Sequence, residues 1–383
     1  MTRRGTRVAE PPSVLIAVEQ LRRAVPGGIG NHARGLLAGL QRCAEEGDGV
    51  GVTLLASRPR RGAPDPLAAY GRPIVASALP GRLMTRAWDG SLLRAPEGFD
   101  VVHSVSLAAP MLRRGSSSRL VVTVHDLAWR RHPEATTRRG RRWHEAALRR
   151  ARDSGATLVV PSRLVAGDLL ASGVDEARIT VVRSGTDHLA PPDEDATTAL
   201  LDRLGVRGEY LLTVGTLEPR KNLDRLVQAF TLARPQLPER WPLVIAGPAG
   251  WGQTPRPHES DGVLFAGPVP DAVLSALYRR ARAFAYVPLT EGYGLPPLEA
   301  MTMGTPSVVS SEVPSVHDLG ESDPPPARLV DPIDVEDMTA GLVEVLTDGT
   351  LRDELAARGS SFSSARTWHA AAAAHVRLWR RLA

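Results

Sequence analysis

Pro288-Leu289-Thr290-Glu291-Gly292-Tyr293-Gly294-Leu295-Pro296-Pro297-Leu298-Glu299-Ala300-Met301 packs a strand end, a glycine loop and a helix start into one short run. Proline suits a first helical turn, where its missing N–H would be unpaired anyway. Gly292 and Gly294 let the backbone approach a ligand, and the helix N-terminus behind them offers N–H groups and partial positive charge to an anion. Glu299 is expected in the first turn of that helix. With Glu291 on the loop, it would bring two carboxylates to one site.

Leu212-Thr213-Val214-Gly215-Thr216-Leu217-Glu218-Pro219-Arg220-Lys221-Asn222-Leu223 repeats the design. A strand ends at Gly215, adjacent cations follow, and Asn222 is placed to cap the next helix. Arg220 as a planar fork and Lys221 as a point charge suit a diphosphate at a strand's carboxyl end. Lys221 is the only lysine among 47 Lys+Arg, and Asn222 shares the chain's asparagine with Asn31 alone. A chain that writes Arg wherever charge suffices keeps its one lysine here.

Working outward, residues 14–18, 50–56, 100–104, 120–124 and 156–161 are near-continuous apolar runs, as expected of strands covered on both faces. Helical stretches at 32–43 and 141–152 lie between them, which indicates a parallel, doubly wound sheet. The pattern restarts with strands at 210–214, 243–246, 263–266 and 283–287 and helices at 223–233 and 271–281. The expected organisation is a flexible tail (1–12), a first Rossmann-like domain (13–188), a linker (189–208) with Pro191-Pro192 and Asp193-Glu194-Asp195, a second Rossmann-like domain (209–363), and an Ala-rich helix (364–383) crossing back to the first domain. Two such domains facing each other enclose a central cleft, with ligands at the carboxyl ends of the strands.

Composition narrows the function. The 383 residues are 43% hydrophobic and 23% charged, enough for two buried cores. Cys43 stands alone, which excludes a disulfide framework and a cysteine-based zinc site. No apolar run approaches the ~18 residues of a membrane span, and 14–18 is too short for a signal-peptide core, so a cytoplasmic chain is expected. Residues 1–190 carry 29 Lys+Arg against 17 Asp+Glu, and the remainder reverses the balance. A basic first half suits an acidic ligand or an anionic membrane surface, and Arg138-Arg139-Gly140-Arg141-Arg142-Trp143 is either a solvated face or a membrane contact. Nucleic acid fits poorly, because aromatics are only 4% and no binding motif appears. Gly28-x-Gly30-x-x-Ala33 has dinucleotide spacing, yet nine residues part it from the apolar run ending at Val18, so a nicotinamide cofactor is not expected. His103 ends a strand and reads as a cleft residue or a structural histidine.

Residues 215–222 and 291–299 resemble the C-terminal half of glycosyltransferase family 4, retaining enzymes of the GT-B fold, and are most similar to its bacterial mannosyltransferase-like branch. Tyr293 stands where that branch has Phe. Pro26-Gly27-Gly28-Ile29-Gly30-Asn31 is similar to the family's glycine-rich first loop, and Val122-Thr123-Val124-His125-Asp126-Leu127 to its strand-then-His-Asp segment; Pro161-Ser162-Arg163 and Leu329-Val330-Asp331-Pro332 also match. The resemblance implies that Glu291 contacts the donor sugar, Glu299 the ribose and Lys221 the diphosphate. It places His125 beside the reacting carbon, and Gly28, Gly30, Gly215, Gly292, Tyr293, Gly294 and Leu295 along the donor. Thr216 replaces the family's usual Arg, whose charge Arg220 would supply, and Asp318 stands where Glu is usual.

The expected activity is therefore transfer of a hexose, mannose by branch resemblance, from a nucleotide-diphosphate sugar (GDP-mannose favoured) to a glycan, lipid-linked or small-molecule acceptor. Arg220, Lys221, the Gly28–Gly30 backbone and a helix N-terminus would neutralise the leaving diphosphate, so neither metal nor cofactor is expected. A non-catalytic sugar-nucleotide-binding protein and a GT-B sugar-nucleotide epimerase are the alternatives.

Overall fold

The computed structural model describes residues 11–23, 27–59, 62, 64–250, 262–317 and 324–383. Pro26, Asp318 and residues 1–10 of the expected tail lie outside that set. Two all-parallel sheets form the molecule. The first runs β3-β2-β1-β4-β5-β6-β7, built from β1 (Ser13–Ala17), β2 (Gly51–Ala56), β3 (Ile74–Ala76), β4 (Val101–Ser104), β5 (Arg119–Thr123), β6 (Thr157–Val160) and β7 (Ile179–Val181). Its helices are α1 (Gly27–Glu45), α2 (Gly81–Asp89), α3 (Ala128–Arg131), α4 (Arg138–Asp153) and α5 (Arg163–Ala171).

The second sheet, β10-β9-β8-β11-β12-β13, reverses direction at the corresponding place. Its strands are β8 (Leu211–Val214), β9 (Leu243–Ala246), β10 (Val263–Gly267), β11 (Ala283–Tyr286), β12 (Ser307–Ser310) and β13 (Arg328–Val330). Around them lie α6 (Glu194–Arg203), α7 (Leu223–Ala233), α8 (Asp271–Arg280), α9 (Leu295–Thr302), α10 (Val335–Thr347) and α11 (Gly349–Ser364). Each sheet is covered on both faces. In β1, Val14 and Ile16 join one buried cluster while Leu15 and Ala17 join the cluster on the other face, which is why the run reads as continuously apolar.

The expected linker is a correction. Asp193 caps α6 by accepting from the Ala196 N–H at 3.0 Å, and Leu200 and Leu201 are buried in the second domain's core. Glu194 pairs with Arg279 on α8. The acidic trio thus starts a helix that belongs to the second unit. Two acids beside a helix N-terminus are stabilised by its dipole, and that reason competes with solvation.

The last helix, α12 (Trp368–Leu382), crosses back and packs on α1. Thr367 caps it through the Ala370 N–H. A Cβ at Gly35 would collide with the Trp368 ring, and one at Gly39 with the Trp368 backbone, so α1 presents two glycines one turn apart to admit the tryptophan. The Trp368 backbone N–H donates to Asp187 at 2.6 Å, and its indole N–H to His188 Nδ1 at 3.1 Å. Trp368→Ala should therefore lower stability by about 3–5 kcal/mol in denaturant unfolding followed by far-UV circular dichroism, and Gly35→Ala should also destabilise. A loss below about 1 kcal/mol for the tryptophan variant would contradict this account of the joint.

Candidate active site

The site lies where strand ends of both sheets meet. β8 delivers Gly215, then a single 3-10 turn, Pro219–Lys221, sets Arg220 and Lys221 ahead of α7. β11 ends at Tyr286 and feeds the loop to α9. The Leu289 N–H donates to the Arg220 carbonyl at 3.0 Å, lashing the two loops together.

Side chains from both loops converge on Glu291. Lys221 Nζ donates to Glu291 Oε1 at 2.6 Å and to the Tyr286 hydroxyl at 2.7 Å; that hydroxyl in turn donates to Glu291 Oε1 at 2.9 Å. Arg220 lies 3.0 Å from Glu291 Oε2 and 2.8 Å from Glu218 Oε1. Burial alone would lift the Glu291 carboxyl, but Arg220 and then Lys221 outweigh it and hold it at about 2. Burial likewise opposes the charge of Arg220, yet Glu291, Asp126 and Glu218 raise its pKa above the ordinary value. Burial and the Glu291 charge push the Tyr286 hydroxyl up, so it remains a donor. Glu291 is thus an ionised, acceptor-only carboxylate at any physiological pH, suited to orienting hydroxyl groups and not to giving a proton.

Asn222 departs from expectation. It makes no side-chain cap; its backbone is left-handed at φ 57°, and its amide donates to the carbonyls of Val287 at 3.0 Å and Pro332 at 2.7 Å. Asparagine tolerates that conformation better than most residues and here ties three strand ends together.

The first domain meets this loop through Gly292. A Cβ there would collide with the His125 carbonyl and approach Asp126, and the Gly292 carbonyl accepts from Ser162 at 2.7 Å. Ser162 also caps α5. His125, half-buried, donates from Nε2 to the Val105 carbonyl at 2.8 Å, which fixes its tautomer. Burial lowers its pKa, partly offset by Val105 and Asp126.

Other expected residues are placed less directly. Gly28 and Gly30 lie in the first turn of α1, so the glycine-rich stretch is a helix start and not a loop. Gly215 leaves room for the Lys221 stem at 3.5 Å. Gly294 precedes α9 in a left-handed conformation at φ 92°, backed by Val313, and Leu295 opens the helix. Tyr293 is buried, its hydroxyl donating to the Ser184 carbonyl at 3.3 Å. Glu299 sits in the second turn of α9, not the first, because the helix begins at Leu295. It is buried, accepts from the Tyr278 hydroxyl at 2.9 Å, and lies 3.2 Å from His188 Nε2 without hydrogen-bond alignment. Glu291, Arg220 and Lys221 form one cluster; Glu299 stands in another.

A family model of group 1 glycosyl transferases matches residues 203–362, and a model of glycosyltransferase family 4 matches residues 26–188. The chain belongs to glycosyltransferase family 4. This glycosyltransferase is 29% identical over 260 residues to O-antigen chain mannosyltransferase B of Escherichia coli, an alignment covering 65% of the chain and 67% of that protein. It is 27% identical over 269 residues to a GDP-mannose-dependent alpha-(1-6)-phosphatidylinositol monomannoside mannosyltransferase of Mycolicibacterium smegmatis, covering 65% of the chain and 66% of the relative. The chain thus spans about two thirds of the length of these relatives. Sucrose-phosphate synthase from Thermosynechococcus elongatus superposes with a TM-score of 0.72 at 19% identity, covering 97% of this chain and 99% of the other, which shows the GT-B fold.

Sequence reasoning on this family 4 enzyme missed Tyr286, Tyr278 and His188. The signal for Tyr286 was its place as the last residue of an apolar strand before Pro288. It also missed a ring cluster behind His125. His32 lies edge-on to His125 at 4.9 Å and to Trp368 at 5.4 Å; His103 stacks on His375 at 5.3 Å, and both face Trp379. His103 is buried and accordingly does not line the cleft. His32 Nε2, His103 Nδ1, His375 Nε2 and Trp379 Nε1 have no hydrogen-bond partner there.

Burial lowers the pKa of His32 and His103, and brings His375 to about 4. The unfolded chain takes up these protons near 6.5 while the folded cluster stays neutral, so stability is full above about pH 6.5 and falls as pH drops toward 4. Each histidine should contribute a slope of about 1.4 kcal/mol per pH unit in that window. Urea unfolding at stepped pH should show a shallower slope for His375→Gln by about one proton; an unchanged slope would contradict it.

Proposed function

We propose that this glycosyltransferase moves mannose from GDP-mannose to a glycan or lipid-linked acceptor, with retention of anomeric configuration and without a metal ion. The observation that carries the reading is the buried group Arg220–Glu291–Lys221–Tyr286, held at the carboxyl ends of β8 and β11 and closed by the His125–Gly292 contact. A leaving diphosphate develops negative charge that fixed cations can neutralise. Lys221 and Arg220 are those cations, and on the donor's arrival each exchanges part of its contact with Glu291 for phosphate oxygens. Glu291 then accepts hydroxyl hydrogen bonds from the sugar, positioning its anomeric carbon beside His125. The names of two relatives support mannose, and one supports GDP-mannose. The second domain binds the donor and the first the acceptor, on the cytoplasmic side of a membrane. No helix among the described residues is long and apolar enough to cross a bilayer. The exposed Arg138, Arg139, Arg142 and Arg149 of α4 are the contact offered to an anionic surface.

The test is incubation of GDP-mannose and other nucleotide sugars with a mannoside acceptor, with and without EDTA, following nucleoside diphosphate release and the anomeric configuration of the new glycosidic bond by NMR. Release with GDP-mannose, unaffected by EDTA, is expected; loss in EDTA overturns metal independence, and inversion overturns retention. Glu291→Gln should lower turnover by about a hundredfold while the Kd for GDP changes little. Lys221→Arg, which keeps the charge but not the compact ammonium between Glu291 and Tyr286, should weaken GDP binding by about tenfold in calorimetry. Equal affinity would show that any cation serves there.

A further inference from the structure

At the carboxyl ends of β1 and β2, beside the N-terminus of α2, lies a cavity of about 720 Å³ walled in part by Glu19, Ser57, Arg58, Gly81 and Arg82. Glu19 is 8% exposed, and its Oε2 accepts from the Ser57 N–H at 2.7 Å. A Cβ at Gly81 would collide with Glu19 Oε1, so glycine at that position is what lets a carboxylate stand at the start of α2. Arg22 is not available to a ligand, because the Asp65 carboxylate and the Ser57 carbonyl occupy its guanidinium. Arg58 and Arg82 are different: both are exposed, both wall the cavity, and neither makes an ion pair among the described residues. α2 itself opens after Pro80 with no side-chain cap.

Unpaired guanidiniums around a cavity with one buried carboxylate do not help the domain fold. They match a polyhydroxylated ligand that also carries negative charge, since a guanidinium fork fits phosphate or carboxylate oxygens and a carboxylate accepts from hydroxyls. The place is equally informative. β1 is two strands from β5, whose end carries His125, and β2 is three, so the pocket at their ends lies about 10–15 Å along the sheet edge from that histidine. That is about the reach of two to three sugar rings.

We propose that this pocket binds an anionic group of the acceptor, a phosphoryl or carboxylate group held by Arg58 and Arg82, with Glu19 accepting from a neighbouring hydroxyl. The assignment to an acceptor rests on the glycosyltransfer reading above; the anion site itself does not.

Calorimetry on the full chain, in the presence of GDP, compares mannose, mannose 6-phosphate, glucuronate and inorganic phosphate. At least one anionic sugar should bind about tenfold or more tighter than mannose, and the double variant Arg58→Ala/Arg82→Ala should erase that preference. GDP affinity and melting temperature should be unchanged in the variant, which separates loss of the pocket from loss of the fold. Equal binding of neutral and anionic sugars, no binding of any anionic probe, or a preference that survives the double variant overturns the proposal. If the anionic preference is present but GDP does not bind, the donor reading fails and the pocket stands. Displacement of the bound sugar phosphate by phosphatidylglycerol vesicles, and not by phosphatidylcholine vesicles, assigns the anion to a lipid headgroup; absence of displacement assigns it to the glycan, and either result supports the site.

Discussion

The backbone of Gly292 lies against the carbonyl of His125, and a side chain there would force the two sheets apart. Around this contact the rest of the site is arranged. Ser162, itself a helix cap, holds the Gly292 carbonyl from the first domain, and Tyr293 reaches the Ser184 carbonyl one residue later. The glycine loop therefore does two jobs at once: it closes the cleft, and it aims Glu291 back toward the cations of its own domain. Behind it, the return of α12 onto α1 through Trp368 fixes the second domain to the first at a point remote in sequence. Flexing the cleft must strain both joints.

Burial makes the charge group consequential. A lone carboxylate with so little exposure would be costly, and its neutralisation by Arg220 and Lys221 is what keeps it ionised. The same ion pairs hold both cations in place, each with little exposure to water. Asp126 extends the network across the cleft by acting on Arg220, so the segment carrying His125 and the loop carrying Lys221 share one electrostatic environment.

Much of this was legible in the chain itself. Strands buried on both faces announce themselves as continuous apolar runs, and the runs at 14–18 and 243–246 correspond closely to β1 and β9. Lys221 stood out because a chain that otherwise writes Arg keeps it. Other features were misread where two physical effects compete for the same residues. Asp193-Glu194-Asp195 after two prolines satisfies the composition of a linker and equally that of a helix start, and only the burial of Leu200 and Leu201 separates them. Asn222 has the side chain of a cap, yet a left-handed backbone turns its amide inward. The stretch at Gly28 and Gly30 looked like a loop, and glycine costs helix stability, but packing of α1 against the sheet and α12 carries it into the helix.

By itself the sequence determined the doubly wound class, the restart that makes two sheets, and the residues Arg220, Lys221 and Glu291. These follow from local periodicity and from residue types with few alternative uses. Tertiary structure alone decided that Tyr286 completes the charge group, that Glu299 turns toward Tyr278 and His188, and that histidines from α1, β4 and α12 share a core behind His125. It also decided that Glu19 and Gly81 frame a pocket at the carboxyl ends of β1 and β2. In each of these cases the partners are separated by many residues and carry no shared period, so only the pairing of distant strands and helices can bring them within hydrogen-bonding distance.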